Sequence, residues 1–190
     1  MKIALIVGHN QTLQGAINYL GESEFQFNLK VCQYIYENSN KENISVFLKD
    51  ADYVERINDY HPDLIVELHF NAFTTEILGS EALVLKGDDK SQLEAHNLLN
   101  KFKDEFDIKV RGIKYLQKYH RGFKNFQGLD HFPMVLFEPC FANFKTKDST
   151  KIMENWKEYA QFFIEYFDKS EKVNDNIMTK MIELIQSWFK

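Results

Sequence analysis

The chain has 190 residues, of which 44% are hydrophobic and 27% charged, as is ordinary for one soluble globular domain. Its net charge of -5 comes without a basic stripe, which argues against a nucleic-acid partner. No apolar run is long enough to span a bilayer, and the first one, Ile3 to Val7, is too short for a signal-peptide core. We therefore expect synthesis in the cytoplasm, with Cys32 and Cys140 as reduced thiols.

The first half of the chain alternates between short apolar runs and helical patterns, which is typical of βαβ units. The runs are rich in β-branched residues, and Ser23 is the predicted N-cap of the first helix. The apolar run from Asp63 ends abruptly at His69. The predicted strands are Lys2 to Val7, Ile44 to Leu48 and Asp63 to Leu68, and the predicted helices are Ser23 to about Glu37 and Ala51 to Tyr60.

The second half continues the alternation and adds one long irregular segment. Gln117 to Phe132 is rich in His, Arg, Lys, Asn and Gly and has no clear period, so it is predicted to be a long surface loop. Loops of this length often carry function. The other predicted elements are strands Gly79 to Leu85, Ile113 to Leu116 and Met134 to Phe137, and helices from about Ser91 to Phe106 and Ser149 to Phe167.

This order of elements predicts a single α/β domain over residues 1–169, with three layers and a mostly parallel twisted sheet flanked by helices. Residues 170–190 are predicted to be a separate extension, in which a polar joint precedes an amphipathic helix. The apolar stripe of that helix must cover some surface. Packing back on the domain is favoured over a homodimer through this helix or another contact.

Polar side chains follow several predicted strands, at the sheet edge where open α/β folds bind ligands. His9 follows the first strand, His69 ends the central strand and Glu138 ends a third. Glu24, in the first turn of the first helix, is expected beside the loop that carries His9. Two imidazoles and one carboxylate leave a fourth position of a zinc ion open for water or substrate, so these residues predict a catalytic zinc site. Glu138 would then move a proton from water to a leaving amine.

Each of these residues also has an ordinary structural role. The histidines alone are a turn residue and a hydrogen-bonded core residue, and Glu24 alone is a first-turn glutamate favoured by the helix dipole. Glu138 alone is a buried carboxylate paired with an arginine such as Arg121. Their convergence at one end of the sheet favours the chemical interpretation. Glu67 precedes His69 by two residues, so we expect it on the same face, one pleat deeper and outside the site.

Five motifs occur in order between residues 1 and 167. They are Val7-Gly8-His9 with Gly15-Ala16, Glu24 with Asn28-Leu29, Arg56-Ile57-Asn58 leading to His69-Phe70-Asn71-Ala72, Gly79-Ser80-Glu81, and Leu136-Phe137-Glu138-Pro139-Cys140-Phe141-Ala142-Asn143. This pattern resembles the zinc-dependent N-acetylmuramoyl-L-alanine amidases of the amidase-3 type, which cut peptidoglycan. Two departures, in the His9 loop and at Pro139-Cys140, remove no required ligand.

The resemblance implies an enzyme that hydrolyses the amide between N-acetylmuramic acid and L-alanine in peptidoglycan or a muropeptide. It implies Zn²⁺ ligands and a catalytic base, namely His9, Glu24 and His69 for zinc and Glu138 for the base. Asn71 and, from charge and position in the long loop, His120 and Arg121 are assigned to substrate binding. An enzyme made in the cytoplasm acts on the cell wall when it is released as a phage or prophage endolysin.

Two other functions remain open at this point. One is a zinc amidohydrolase or peptidase of the same architecture that acts on a soluble intracellular amide, such as a recycled muropeptide. The other is a peptidoglycan-binding module that keeps the fold without activity. The presence of Glu138 together with all three ligands argues against the module, because binding does not need a base.

Overall fold

The computed structural model describes residues 1–168 and contains a six-stranded sheet. The strands are β1 (Ile3–Val7), β2 (Ile44–Phe47), β3 (Leu64–Leu68), β4 (Ser80–Leu85), β5 (Val110–Leu116) and β6 (Met134–Glu138). The helices are α1 (Glu24–Asn38), α2 (Tyr53–Tyr60), α3 (Asp89–Phe106), α4 (Lys147–Met153) and α5 (residues 156–168), with a short 3-10 helix at Phe123–Phe126.

The strand order is β2-β1-β3-β6-β4-β5, and every neighbouring pair is parallel except β4 and β6, which are antiparallel. Helices cover both faces of the sheet, because alternate residues of β1 pack into two separate cores. Ile3, Leu5 and Val7 pack with α1, α3 and α5 in the larger core. Ala4 and Ile6 pack with α2 in the smaller core. The predicted fold class, a mostly parallel sheet between helical layers, is confirmed.

Side-chain caps explain where the helices begin. Ser23 caps α1 as predicted, with its hydroxyl accepting from the Gln26 N–H at 3.2 Å. The third helix begins before the predicted Ser91, because the Asp88 side chain accepts from the Ser91 N–H at 3.0 Å. A capping box at Thr146 likewise starts α4 before the predicted position.

Three other features differ from the sequence predictions. The single helix expected over residues 149–167 is two helices separated by a turn at residues 154–155, where the Asn155 side chain binds the Lys151 carbonyl at 3.2 Å. Strand β5 begins at Val110 because it pairs with β4 along its full length. The segment predicted to be a surface loop is partly core, since Phe126 and Leu129 are buried under the sheet.

The ends of β1, β3 and β6 are held together at one edge of the sheet. Gly8 N–H donates to the Leu68 carbonyl at 3.0 Å, and His69 N–H donates to the Phe137 carbonyl at 3.0 Å. Gly8 approaches β3 so closely that a Cβ on it would lie 2.2 Å from the Leu68 carbonyl oxygen. The residues that follow these three strands therefore meet at one place, as the strand pattern predicted.

Several predictions concern residues 169–190, which lie outside the described residues. The domain division after residue 169, the amphipathic helix and the homodimer through it therefore stay predictions. Between residues 1 and 168, none of the helices is both long and apolar enough for a membrane crossing. Cys32 and Cys140 are buried as free thiols.

Candidate metal centre

Glu24 lies between two histidines at the edge of the sheet. Its Oε1 is 2.7 Å from Nδ1 of His69, and its Oε2 is 3.1 Å from Nε2 of His9. Backbone N–H groups of Phe70 and Ala16 donate to the same carboxylate at 3.1 and 3.2 Å. One ligand atom from each of the three side chains lies within 4.8 Å of the others, so the predicted trio forms a single group that could hold a metal ion.

A strained turn brings His9 to this group. Its φ is 64°, a left-handed conformation that residues other than glycine seldom adopt. The Asn10 side chain closes the turn by accepting from the N–H groups of Thr12 and Leu13 at 3.0 and 2.7 Å. Strain of this kind concentrates at functional sites, and here it directs the imidazole back toward Glu24.

Because Gly15 has no side chain, there is room beside it for His9 and Glu24. A Cβ at this position would lie 2.6 Å from Cδ2 of His9 and 2.7 Å from Oε2 of Glu24. No side chain fits there without moving both residues. The loop that passes the group is therefore shaped for these two side chains.

Burial opposes charge on Glu24 and His69, yet their contacts favour it. Burial raises the pKa of Glu24, but hydrogen bonds with His69 and His9 outweigh that effect and lower the pKa to about 2. Burial lowers the pKa of His69, but the Glu67 carboxylate and Glu24 outweigh it and raise the pKa to about 9. The carboxylates around His69 thus stabilise a positive charge on its imidazole.

These properties fit a zinc ion. Two imidazoles with one carboxylate are a donor set of catalytic zinc sites, which keep one position for water or substrate. The donor atoms already converge, and the surroundings favour a cation. His9, Glu24 and His69 are therefore suited to the metal that the sequence predicted.

Glu67, expected to lie outside the site, contacts His69 directly. Its Oε1 is 2.5 Å from Nε2 of His69, and the same oxygen accepts from the Lys49 ammonium. The Glu67 side chain is fully buried. A signal was present in the sequence, because an acid within an apolar strand requires a buried partner.

Glu138 forms a second acidic centre, with Glu81 as its partner. The two are directly opposite each other in the antiparallel pairing of β4 with β6. The amide nitrogen of Asn71 donates to both carboxylates. Arg111 Nε donates to Glu81 at 3.0 Å, and the Lys114 ammonium does so as well. The partners of Glu138 are therefore Asn71 and Glu81, and not an arginine such as Arg121, which was the structural alternative for this residue.

Glu81 and Glu138 share one proton, because two carboxyl groups this close do not both ionise. Burial, and then the neighbouring Glu81, raise the pKa of Glu138 to about 8. Burial opposes ionisation of Glu81, but hydrogen bonds with Glu138, Lys114 and Arg111 lower its pKa. Glu81 therefore carries the negative charge, and Glu138 has a pKa near neutrality, as suits a group that both accepts and returns a proton.

A cleft of about 1340 Å³ joins the two centres. It is larger than a usual small-molecule pocket and can take several units of an extended ligand. Asn71, His120 and Arg121, predicted to bind substrate, all line it, although the Asn71 amide nitrogen is directed at the two glutamates. Most of the charged side chains around the cleft are cationic, namely Lys49, Lys114, Lys118, Arg121 and Lys124 against Glu24 and Glu138.

Comparison with known proteins gives one family and one fold. Residues 3–162 match the model of the Amidase_3 family, described as N-acetylmuramoyl-L-alanine amidase. No curated protein matches the chain.

Solved structures share the fold at low sequence identity. The N-acetylmuramoyl-L-alanine amidase from Clostridium difficile 630 has a TM-score of 0.67 at 19% identity, with 88% of this chain and 96% of that one covered. The putative amidase from Neisseria meningitidis gives 0.69 at 20% identity, covering 90% and 96%. The catalytic domain of the CD27L endolysin, which targets Clostridia difficile, gives 0.64 at 23% identity, covering 87% and 95%.

A methyl group at Gly15 should weaken metal binding by the group of His9, Glu24 and His69. Gly15→Ala pushes on His9 and Glu24, so we expect its affinity for added Zn²⁺, measured by chelator competition, to fall at least about ten-fold. Gly21→Ala is the matched control, because Gly21 also has a positive φ but no atom within 4 Å of a Cβ. Both variants should lose about 1 kcal/mol of stability to backbone strain. Equal Zn²⁺ affinities would contradict the argument.

The raised pKa of Glu138 predicts a pH-dependent gain in stability for Glu138→Gln in the metal-free protein. The ordinary pKa of a glutamate is 4.5, so the stability that the protonated Glu138 contributes is fully present below pH 4.5. It is lost as the pH rises from there through about 8. One pKa unit is worth about 1.4 kcal/mol, so from pH 5 to pH 9 the variant should gain at least about 1 kcal/mol over wild type in urea denaturation with chelator.

The exposed Glu158 of α5 supplies the control for this measurement. Glu158→Gln should differ from wild type by the same small amount at both pH values. If Glu138→Gln behaved in the same way as this control, Glu138 would not hold the proton in the folded protein.

Proposed function

Because this chain belongs to the Amidase_3 family of N-acetylmuramoyl-L-alanine amidases, we propose that it cleaves the amide between N-acetylmuramic acid and L-alanine in peptidoglycan with a bound zinc ion. His9, Glu24 and His69 are the proposed zinc ligands, and Glu138 is the proposed catalytic base. The observation that carries the proposal is that this donor set and a glutamate with a pKa raised to about 8 line one cleft.

Zinc, when bound, supplies a Lewis acid that polarises the amide carbonyl and makes water more acidic. Glu138 accepts the proton of the attacking water as the new C–O bond forms. It returns the proton to the alanine nitrogen as the C–N bond breaks, so the nitrogen leaves as an amine. Asn71 holds the Glu138 carboxyl in place, and the charge on Glu81 keeps the proton affinity of Glu138 high.

The charge of the cleft supports an anionic substrate. Of the five cations that line it, Lys49 and Lys114 are paired with Glu67 and Glu81. Lys118, Arg121 and Lys124 remain to meet an anionic ligand, although the whole chain carries a net charge of -5. Free carboxylates of a peptidoglycan stem peptide are suitable partners for Arg121 and His120 in the segment after β5. Asn71 is proposed to act on the base, and its contact with substrate stays a prediction.

A soluble muropeptide is the alternative substrate, and a binding module is the alternative without catalysis. Purified sacculi and small muropeptides, assayed side by side for released amine, separate the three. Cleavage of sacculi supports lysis of the cell wall, cleavage of small fragments alone supports recycling, and binding without release supports the module. We also propose that the chain is made in the cytoplasm and reaches the wall on release, as an endolysin does; fractionation of producing cells tests this.

Two variants should distinguish the role of the proposed zinc ligands from that of the proposed base. We expect about one zinc per chain in elemental analysis of the wild type, in keeping with a single site, and its loss in His69→Ala. Glu138→Gln should keep the metal but lose activity by about 10²–10⁴-fold, the usual contribution of a general acid or base. Unchanged activity in Glu138→Gln would remove that residue from the mechanism. A wild type that takes up no metal on dialysis against zinc would remove the metal.

Arg121 should affect substrate binding rather than the chemical step. Arg121→Ala is expected to raise KM roughly two- to five-fold with kcat unchanged, because one solvent-accessible ion pair is worth up to about 1 kcal/mol. The effect should shrink at high salt. Lys90→Ala, at an exposed position of α3 away from the cleft, is the control and should leave KM unchanged. A fall in kcat with unchanged KM in Arg121→Ala would contradict this role.

A further inference from the structure

We propose that Glu67, supported by Lys49, is a positioning residue that fixes the His69 imidazole so that Nδ1, and not Nε2, faces the metal. The inference rests on the proposed function, since it concerns a residue that acts through a proposed ligand. It goes beyond that function because it explains how the ring of one ligand is oriented.

The two ring nitrogens of His69 have different carboxylate partners. Nδ1 is 2.7 Å from Glu24, within the group of three ligands, and Nε2 is 2.5 Å from Glu67 on the opposite side. A metal binds the unprotonated nitrogen of a neutral imidazole, and the other nitrogen donates its hydrogen to an acceptor that sets the tautomer. Glu67 is that acceptor, so when a metal takes the place of the hydrogen between Nδ1 and Glu24, the other hydrogen stays on Nε2 and the Nδ1 lone pair points to the metal position.

Glu67 lies where packing alone would favour an apolar residue. Its side chain is fully buried in β3, and its four neighbours in the strand are all aliphatic. Burying a carboxylate is costly, and an apolar residue of similar size would remove that cost. Glu67 Oε2 has no hydrogen-bond partner within residues 1–168, which shows that the surroundings serve only Oε1. Contact with His69 gives this acid a reason to be there.

Lys49 holds the carboxylate in place from the other side, and Asn125 holds the Lys49 ammonium. The Lys49 side chain is 12% exposed, and its ammonium binds Glu67 Oε1. The same ammonium donates to Asn125 Oδ1 at 3.1 Å. A charged hydrogen bond in a partly buried setting is directional, so the position of Glu67 is defined by two neighbours and not by His69 alone.

The backbone directly after β1 limits where the ring can go. A Cβ on Gly8 would lie 2.9 Å from both Cε1 and Nε2 of His69, so the imidazole lies close against this glycine. This close approach limits the movement of the ring but does not decide which nitrogen carries the hydrogen. That distinction falls to the partners at each nitrogen, which are Glu24 and Glu67.

The competing explanation is a structural ion pair that only joins β3 to Lys49 and the segment after β5. The double variant Lys49→Met/Glu67→Leu separates the two roles, because it replaces both charges with apolar side chains of similar size. Such replacements are often neutral or favourable for folding. A structural role predicts that stability and zinc affinity both survive. A positioning role predicts that stability survives and zinc affinity does not.

The experiment measures zinc affinity by chelator competition, together with the melting temperature of the metal-free protein. In the double variant we expect an affinity loss of about 10- to 100-fold, the usual effect of removing an outer partner of a metal ligand, with little change in melting temperature. Glu67→Gln, which keeps the shape, should also weaken zinc binding and serves if the double variant fails to fold. Ile65→Val is the control, since it changes the same face of β3 without touching His69 and should bind zinc as the wild type does.

Nitrogen-15 NMR of the zinc-loaded protein supplies a readout that a structural role would not change. In the wild type the His69 ring should bind zinc through Nδ1 and carry its hydrogen on Nε2; in the double variant, part of the population should carry the hydrogen on Nδ1, with that nitrogen no longer bound to zinc. Wild-type affinity together with a single unchanged tautomer in the variants would overturn the proposal. If the wild type binds zinc and cleaves its substrate in that case, only the role of Glu67 fails; a wild type without zinc overturns the proposed function as well.

Discussion

The Glu24 carboxylate is the interaction on which the whole site depends. It joins three parts of the chain that are distant in sequence, because it comes from α1 and contacts the turn after β1 and the end of β3. Burying an acid is unfavourable unless its oxygens are satisfied, and here histidines and backbone N–H groups occupy both of them. The same contacts that make its burial tolerable bring two imidazoles to one point. A cation there would complete an arrangement that the fold has already assembled.

Electrostatic pairing also explains how charged residues occupy an apolar sheet. Glu67 and Glu81 each lie in a buried strand, and each is met by a cation from an adjacent part of the chain, Lys49 for the first and Lys114 for the second. In both pairs the ammonium group binds one oxygen of the carboxylate, Oε1. The functional groups next to them then acquire unusual proton affinities, raised for both His69 and Glu138. The acids inside the sheet therefore tune the groups at its edge.

The sequence was sufficient to predict the architecture and the polar residues at the strand ends. It was insufficient to predict contacts that depend on the order of the strands in the sheet. Alternating apolar runs and helices identify the α/β fold, and a residue that directly follows a strand has only one edge where it can lie. The pairing of Glu81 with Glu138 requires β4 to lie beside β6 in antiparallel orientation, yet a helix, a strand and a long segment separate them in the chain. The pairing of Glu67 was missed for a related reason, since its partner Lys49 comes from beyond β2.

The end of β3 combines these effects within five residues. Glu67, His69 and Asn71 are two residues apart, and the extended chain continues to a bridge between Asn71 and Phe141, so their side chains point the same way in succession. The first contacts the second, the second belongs to the group of proposed metal ligands, and the third donates to Glu138. A shift of one residue in the pairing of β3 would turn all three to the opposite face at once. The register of this strand against β1 and β6 therefore controls the proposed metal ligands and the proposed base together. The buried aliphatic residues that fix the register are as necessary to the site as the polar residues beside them.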